Sequence, residues 1–146
     1  VEHGDIDNQP AQRLVFVWEG LLAHLDLQDL KRHNRLIKRH RYDRALEYWA
    51  EDLTMTRLLR DILYRRHLMV DVLTITGIDG FGHALERRLD REGYPYGRVI
   101  ISSTAAYARE LAYAPEVHTV FHGDQNSPFL FGSRGRAISS PLDVVL

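Results

Sequence analysis

The chain has no cysteine, which excludes disulfides, thiolate metal sites, iron–sulfur ligation and a cysteine nucleophile. It has no excess of either charge: 19 Lys and Arg stand against 20 Asp and Glu, a formal net charge of -1. Global attraction to nucleic acid or to an anionic membrane is therefore absent, and electrostatic binding must be local. Long apolar runs are missing too, since every such stretch falls far below the roughly 20 residues of a membrane helix. The first residues are acidic and polar where a secretory signal is basic and then apolar, so the expectation is a soluble, cytoplasmic protein with no membrane partner.

What is present fits one domain over residues 1–146, because 45% hydrophobic residues suffice for a single three-layer core. After a loose lead-in from Val1 to Gln12, the run Leu14 to Val17 reads as a strand covered on both faces. A basic segment from Gln28 to Arg44 follows. Leu46, Trp49, Leu53, Leu59 and Leu63 then recur at spacings that predict one helix ending near Arg65-Arg66-His67, where positive side chains suit the carbonyl end.

Leu68 to Ile75 reads as a second strand. Asp79 is positioned to cap a helix that buries Phe81, Ala84, Leu85 and Leu89, turns Arg87, Arg88 and Arg91 to water, and stops at Gly93. Val99 to Ile101 gives a third strand, Ser102 to Thr104 offer caps for a helix over 105–112, and Pro115 closes it. Val117 to Phe121 is a fourth strand, and an edge strand is expected around Arg136 to Ile138. Strands alternating with helices favour right-handed crossovers, so the expected fold is α/β: a three-layer, mostly parallel, Rossmann-like sheet of about five strands, with the first and fourth adjacent near its centre.

In such a sheet the functional loops gather beyond the carboxyl ends of the strands. Those loops supply Glu19 and Gly20, Thr76, Gly77 and Asp79, Ser102 to Thr104, and His122, Asp124 and Asn126. Two carboxylates there are candidate ligands of a hard cation such as Mg2+, with hydroxyls and backbone N–H groups receiving phosphate oxygens. Ordinary capping and solvated loops are the alternative.

The stretch LVFVWEGLL over 14–22, then LTITG over 73–77, then VHTVFHGD over 117–124, resembles the haloacid dehalogenase-like superfamily in its phosphatase branch. The resemblance implies a central first strand and a small helical cap inserted at residues 23–67. It also implies roles: Thr76, with Gly77, as the phosphate-binding turn, Glu19 in the acid/base position, Arg109 or Arg98 as the phosphate-neutralising cation, and Asp124 as the magnesium carboxylate. Glu19 and Asp124 are thus the candidate catalytic and metal residues. Val17, however, occupies the position of the nucleophilic aspartate, and valine has no atom that attacks phosphorus. Leu21 stands where the motif has threonine.

Other features divide between functional and plain readings. Lys31 to Arg44 holds seven Lys or Arg in 14 positions, which suits either phosphates of nucleic acid, with Tyr42 for stacking, or the solvated face of a cap helix anchored by Leu36 and Ile37. Arg35, Lys38, Arg39 and Trp49 are the candidate interaction surface for a second copy or another protein. Eight histidines include the pairs His33/His40 and His118/His122, without a His-Glu-x-x-His pattern. Ser102, His122 and Asp124 have the groups of a hydrolase triad, without its Gly-x-Ser-x-Gly elbow. Gly132 and Gly135 read as turn residues, and Trp18 and Trp49 as apolar anchors. The expectation is a catalytically degenerate, phosphatase-like domain acting in protein binding, regulation or structure. The alternatives are a magnesium-dependent phosphohydrolase using non-standard residues, or a nucleic-acid-binding module.

Overall fold

A computed structural model describes residues 13–66, 68–114 and 117–144. The lead-in over Val1 to Gln12, the helix end at His67, Pro115 and the side chains of Leu63 and His118 lie outside the described residues.

Five parallel strands form the main sheet: β1 (Arg13–Val17), β4 (Met69–Thr74), β5 (Val99–Ile101), β6 (Val117–His122) and β7 (Gly135–Ala137), in the order β5-β4-β1-β6-β7. The first strand is central, and its neighbour on one side is the fourth of the expected strands. The apolar runs produce this because side chains of a strand alternate faces, and both faces of β1 are covered. Leu14 and Phe16 join Val70, Val72 and Phe121 on one face, under helices α3 (Leu53–Arg66) and α4 (Asp79–Arg91). Val15 and Val17 join Leu73 and Val120 on the other, under Tyr107 and Leu111 of α5 (Thr104–Leu111). Phe16 stacks on Phe121 with ring centroids 5.0 Å apart. The result is the expected three-layer, Rossmann-like fold.

Among the buried strand residues, one carries a carboxylate. Asp71 of β4 is fully buried beside Val15, and its Oδ2 meets Arg13 Nε at 3.4 Å and Arg98 Nε at 3.2 Å.

Between β1 and β4 the chain makes a short antiparallel hairpin of β2 (Ala23–Leu25) and β3 (Trp49–Glu51), with α1 (Leu30–Lys38) and α2 (Tyr42–Leu46) between its strands. The single helix expected across Leu46 to Leu63 is thus two helices separated by a strand. Leu46 ends α2, Trp49 pairs with Leu25, and α3 begins only at Leu53, which is exposed. Pairing with Ala23 to Leu25, distant in sequence, overrides the helical spacing at Trp49 to Glu51. Leu46, Met55 and Leu59 belong to the same core as β1, so the inserted residues help to build the main body.

α4 departs from expectation twice. Ile78, not Asp79, is its N-cap, and Asp79 instead sits in the first turn, where its charge faces the positive helix end. Arg88, expected at the water face, is largely buried. Gly93 stops the helix with φ 70°, a left-handed conformation that glycine adopts without cost. Among the described residues, no helix is long and apolar enough to cross a membrane.

Candidate functional site

The four loops beyond the carboxyl ends of the central strands do converge. Trp18 prolongs β1 by donating its N–H to Leu73 O at 2.8 Å. Glu19 then reaches across to the end of β4. Its Oε2 accepts from the hydroxyls of Thr74 (2.6 Å) and Thr76 (2.5 Å) and from Thr76 N–H (3.0 Å), and its Oε1 accepts from Ile75 N–H (3.1 Å). Four donors on one carboxylate form a clasp between the first and second loops.

Glycines bring the other loops in. Gly20, at φ 86°, turns the chain back so that Ala23 N–H reaches Trp18 O at 3.0 Å. Gly123 packs so closely against this turn that a Cβ on it would lie 2.1 Å from the Gly20 carbonyl oxygen. Gly77, at φ 71°, lies against the backbone of Ser103. The Ser103 hydroxyl caps α5 by accepting from Ala106 N–H at 3.2 Å.

The predicted residues meet in part. Glu19, Thr76 and Gly77 share one corner of this edge. Asp124 belongs to the adjoining loop, where its side chain is engaged locally: Oδ1 accepts from Asn126 N–H at 3.1 Å, and its own N–H donates to His122 Nδ1 at 3.2 Å. Arg109 is exposed in the last turn of α5, the end of that helix remote from the Ser103 cap. Arg98 lies before β5, also away from these loops, and is tied to Asp71. Neither arginine joins Thr76.

The triad is not assembled. His122 is buried, with Nδ1 taken by the Asp124 backbone and Nε2 beside Pro128 O at 3.4 Å, while Ser102 Oγ donates to Ser103 O at 3.3 Å. Burial holds the His122 imidazole below its ordinary pKa, opposed by the Pro128 carbonyl and the Asp124 charge. His33 and His40 also part company: His33 is buried and accepts from Trp49 Nε1 at 3.1 Å, whereas His40 is exposed and bonds the Tyr42 hydroxyl at 2.7 Å.

A hard cation needs free carboxylate oxygens. Both Glu19 oxygens carry hydrogen-bond donors, and among the described residues no three His, Asp or Glu side chains group around a common point. The residues at this edge therefore do not fit Mg2+.

No protein-family model, curated protein or solved structure matches this chain.

Two polar constellations lie apart from the loop edge, the first unforeseen in the sequence and the second within its basic segment. Arg88 donates to the carbonyls of Leu46 and Trp49 (2.9 Å for the latter), pairs with Glu51 at 3.2 Å and Glu92 at 3.3 Å, and lays its guanidinium 5.2 Å from the centre of the Trp18 ring. Burial pushes the Glu51 carboxyl up, but the Glu92 carboxyl, the Tyr94 hydroxyl and Arg88 outweigh it and hold it below the usual range. Glu92 is raised by burial and by Glu51 beside it. The two carboxyls are thus pushed in opposite directions, Glu51 down and Glu92 up, with Arg88 between them.

The second constellation is a groove of about 480 Å³ between α1 and α2, lined by Arg32, Arg35, Arg39, Arg44 and Tyr48. The signal for it was the spacing of 32, 35 and 39, which places three arginines on one helical stripe. The expected interaction surface is split by the same helix. Arg35, Lys38 and Arg39 are exposed, but Trp49 and Ile37 pack on the core, with His33 as the buried anchor of α1. Tyr42 is likewise turned inward, its ring filling the space where Gly80 lacks a side chain.

Proposed function

We propose that the chain is a catalytically silent, phosphatase-like α/β domain that works by binding. The observation that carries this reading is the state of the residues at the motif positions. Val17 is buried in the sheet, and Glu19 spends its carboxylate on four hydrogen bonds that hold two loops together. A general acid or base must exchange a proton with substrate, and a carboxylate ringed by donors is held in place as an acceptor. In this reading the motif-like residues are retained as architecture.

The test is an assay of the full chain over phosphate monoesters with added magnesium. The expected result is no turnover that follows the folded protein through repurification. Turnover that co-purifies with the chain and disappears in Glu19→Gln, while the variant stays folded, overturns the reading and makes Glu19 a proton-transfer group.

A further inference from the structure

The seven cations between Lys31 and Arg44 are all exposed. Among the described residues, none of them lies within ion-pair distance of a carboxylate. The one acid inside that segment, Asp43, is already neutralised from outside it: Arg87 of α4 grips it with two hydrogen bonds, of 3.0 and 2.8 Å. A field of like charges without internal partners opposes itself, and it is relieved by an anion.

The backbone gathers this charge into a groove. Just past the end of α1, His40 takes a left-handed φ of 58°, and Arg41 N–H returns to Leu36 O at 2.9 Å. This tight reversal brings α2 back beside α1, so that Arg44 faces the same concavity as Arg32, Arg35 and Arg39. Glu47 is the single acid among the lining residues.

The chemistry of the lining selects the occupant. Planar guanidiniums suit phosphate oxygens, which they bind in paired hydrogen bonds. Positions 32 to 39 rise about 10 Å along the helix, a length that matches about three phosphates of a stacked strand. Tyr48 in the wall offers a ring on which a base can stack. A protein interface instead needs an apolar centre, and the groove offers one aliphatic side chain, Leu36, since Ile37 and Trp49 pack on the core.

We propose that the groove between α1 and α2 binds single-stranded nucleic acid, with its arginines on successive phosphates and Tyr48 against a base. This names the ligand of the binding domain proposed above and rests on that reading. Phosphatase turnover would end that reading without touching the groove, whereas the following experiment fails only if the groove does not bind.

The experiment is fluorescence anisotropy of the full chain with a labelled single-stranded RNA of about 12 nucleotides, a length within the range one small domain covers. The same sequence as a duplex, ATP as competitor and an oligoglutamate peptide form the other arms. Three phosphate contacts predict that log affinity falls against log salt with a slope of about -2. The double reversal Arg35→Glu with Arg39→Glu is expected to weaken binding at least tenfold, and Tyr48→Ala about fivefold or more. Reversal of Lys31 and Lys38, which do not line the groove, should cost less than about threefold. Circular dichroism checks each fold, and Arg35→Gln with Arg39→Gln replaces the double reversal if that variant unfolds. No binding at about 50 mM salt overturns the proposal. So does equal affinity for duplex, ATP or oligoglutamate, or an equal loss from the Lys31 and Lys38 reversal.

Discussion

The Glu19 carboxylate lies 2.5 Å from the Thr76 hydroxyl, 57 residues later in the chain. This contact and its three companions join the ends of β1 and β4 beyond their last ladder bonds. Glu19→Gln puts an amide among hydrogen-bond donors and leaves some of them without an acceptor. We expect a loss of about 2–3 kcal/mol in urea unfolding, and about 1.5 kcal/mol for Thr76→Val, the lower end of the range for a hydrogen bond to a charged group. A Glu19→Gln variant as stable as the parent would show that the carboxylate holds nothing.

Gly123 and Gly93 make a matched pair of substitutions. A Cβ at 123 collides with the Gly20 carbonyl, which is backbone and cannot swing aside, while one at 93 meets nothing within 4 Å. Gly93→Ala should cost about 1 kcal/mol, through its left-handed φ alone. Gly123→Ala forces two loops apart and should cost more, about 2–3 kcal/mol. Thermal unfolding of both variants gives the order, and a reversed order would refute the close approach.

Arg88 holds four polar groups and one aromatic ring at once. Arg88→Met keeps much of the volume and removes every donor, leaving the Leu46 and Trp49 carbonyls and Glu51 uncompensated. Breaking a buried pair by removing one partner costs about 3–5 kcal/mol, and that is the expected loss. The emission of Trp18 should change in the folded state as well, since the cation leaves its ring. A loss below about 1 kcal/mol would make Arg88 an ordinary surface arginine.

His122 makes stability depend on pH. Its folded pKa lies below the ordinary 6.5, so between the two values the unfolded chain binds the additional proton. The stability that His122 contributes is present above about pH 6.5 and is lost as pH falls from there through the folded pKa. Urea midpoints at about pH 5.5 and 7.5 should therefore differ more in the parent than in His122→Phe. Equal pH dependence in both proteins would assign the effect to other groups.

The main sheet was legible because parallel strands covered on both faces must be apolar throughout. Leu14 to Val17, Val99 to Ile101 and Val117 to Phe121 fall within or on β1, β5 and β6, and the edge strand lies one residue from its expected place. The hairpin was not legible: β2 and β3 are three residues each and pair across more than 20 intervening positions, so neither carries a local signal. Arg88 was misjudged on its charge: three residues from Leu85 and four from Ala84, it falls on the buried stripe of α4, and the carbonyls of Leu46 and Trp49 that receive it come from elements the sequence did not place there. At the loop edge, the sequence placed Glu19 and Thr76 in neighbouring loops, but the saturation of Glu19 depends on backbone N–H groups whose direction no residue pattern encodes.

Asp71, alone among the buried positions of β4 in carrying a formal charge, bears on how the sheet finds its alignment. In the native pairing it sits opposite Val15, on the face where Arg13 and Arg98 reach its carboxylate. A slip of one residue reverses the face of every side chain in a strand. The carboxylate would then point into the layer of Phe16 and Phe121, with no guanidinium in reach. An unpaired buried charge costs several kcal/mol, a large share of the roughly 5–15 kcal/mol that holds a domain folded. The apolar neighbours of Asp71 would tolerate either alignment; the carboxylate tolerates one, and its contribution lies in rejecting mispaired sheets during assembly more than in strengthening the finished one.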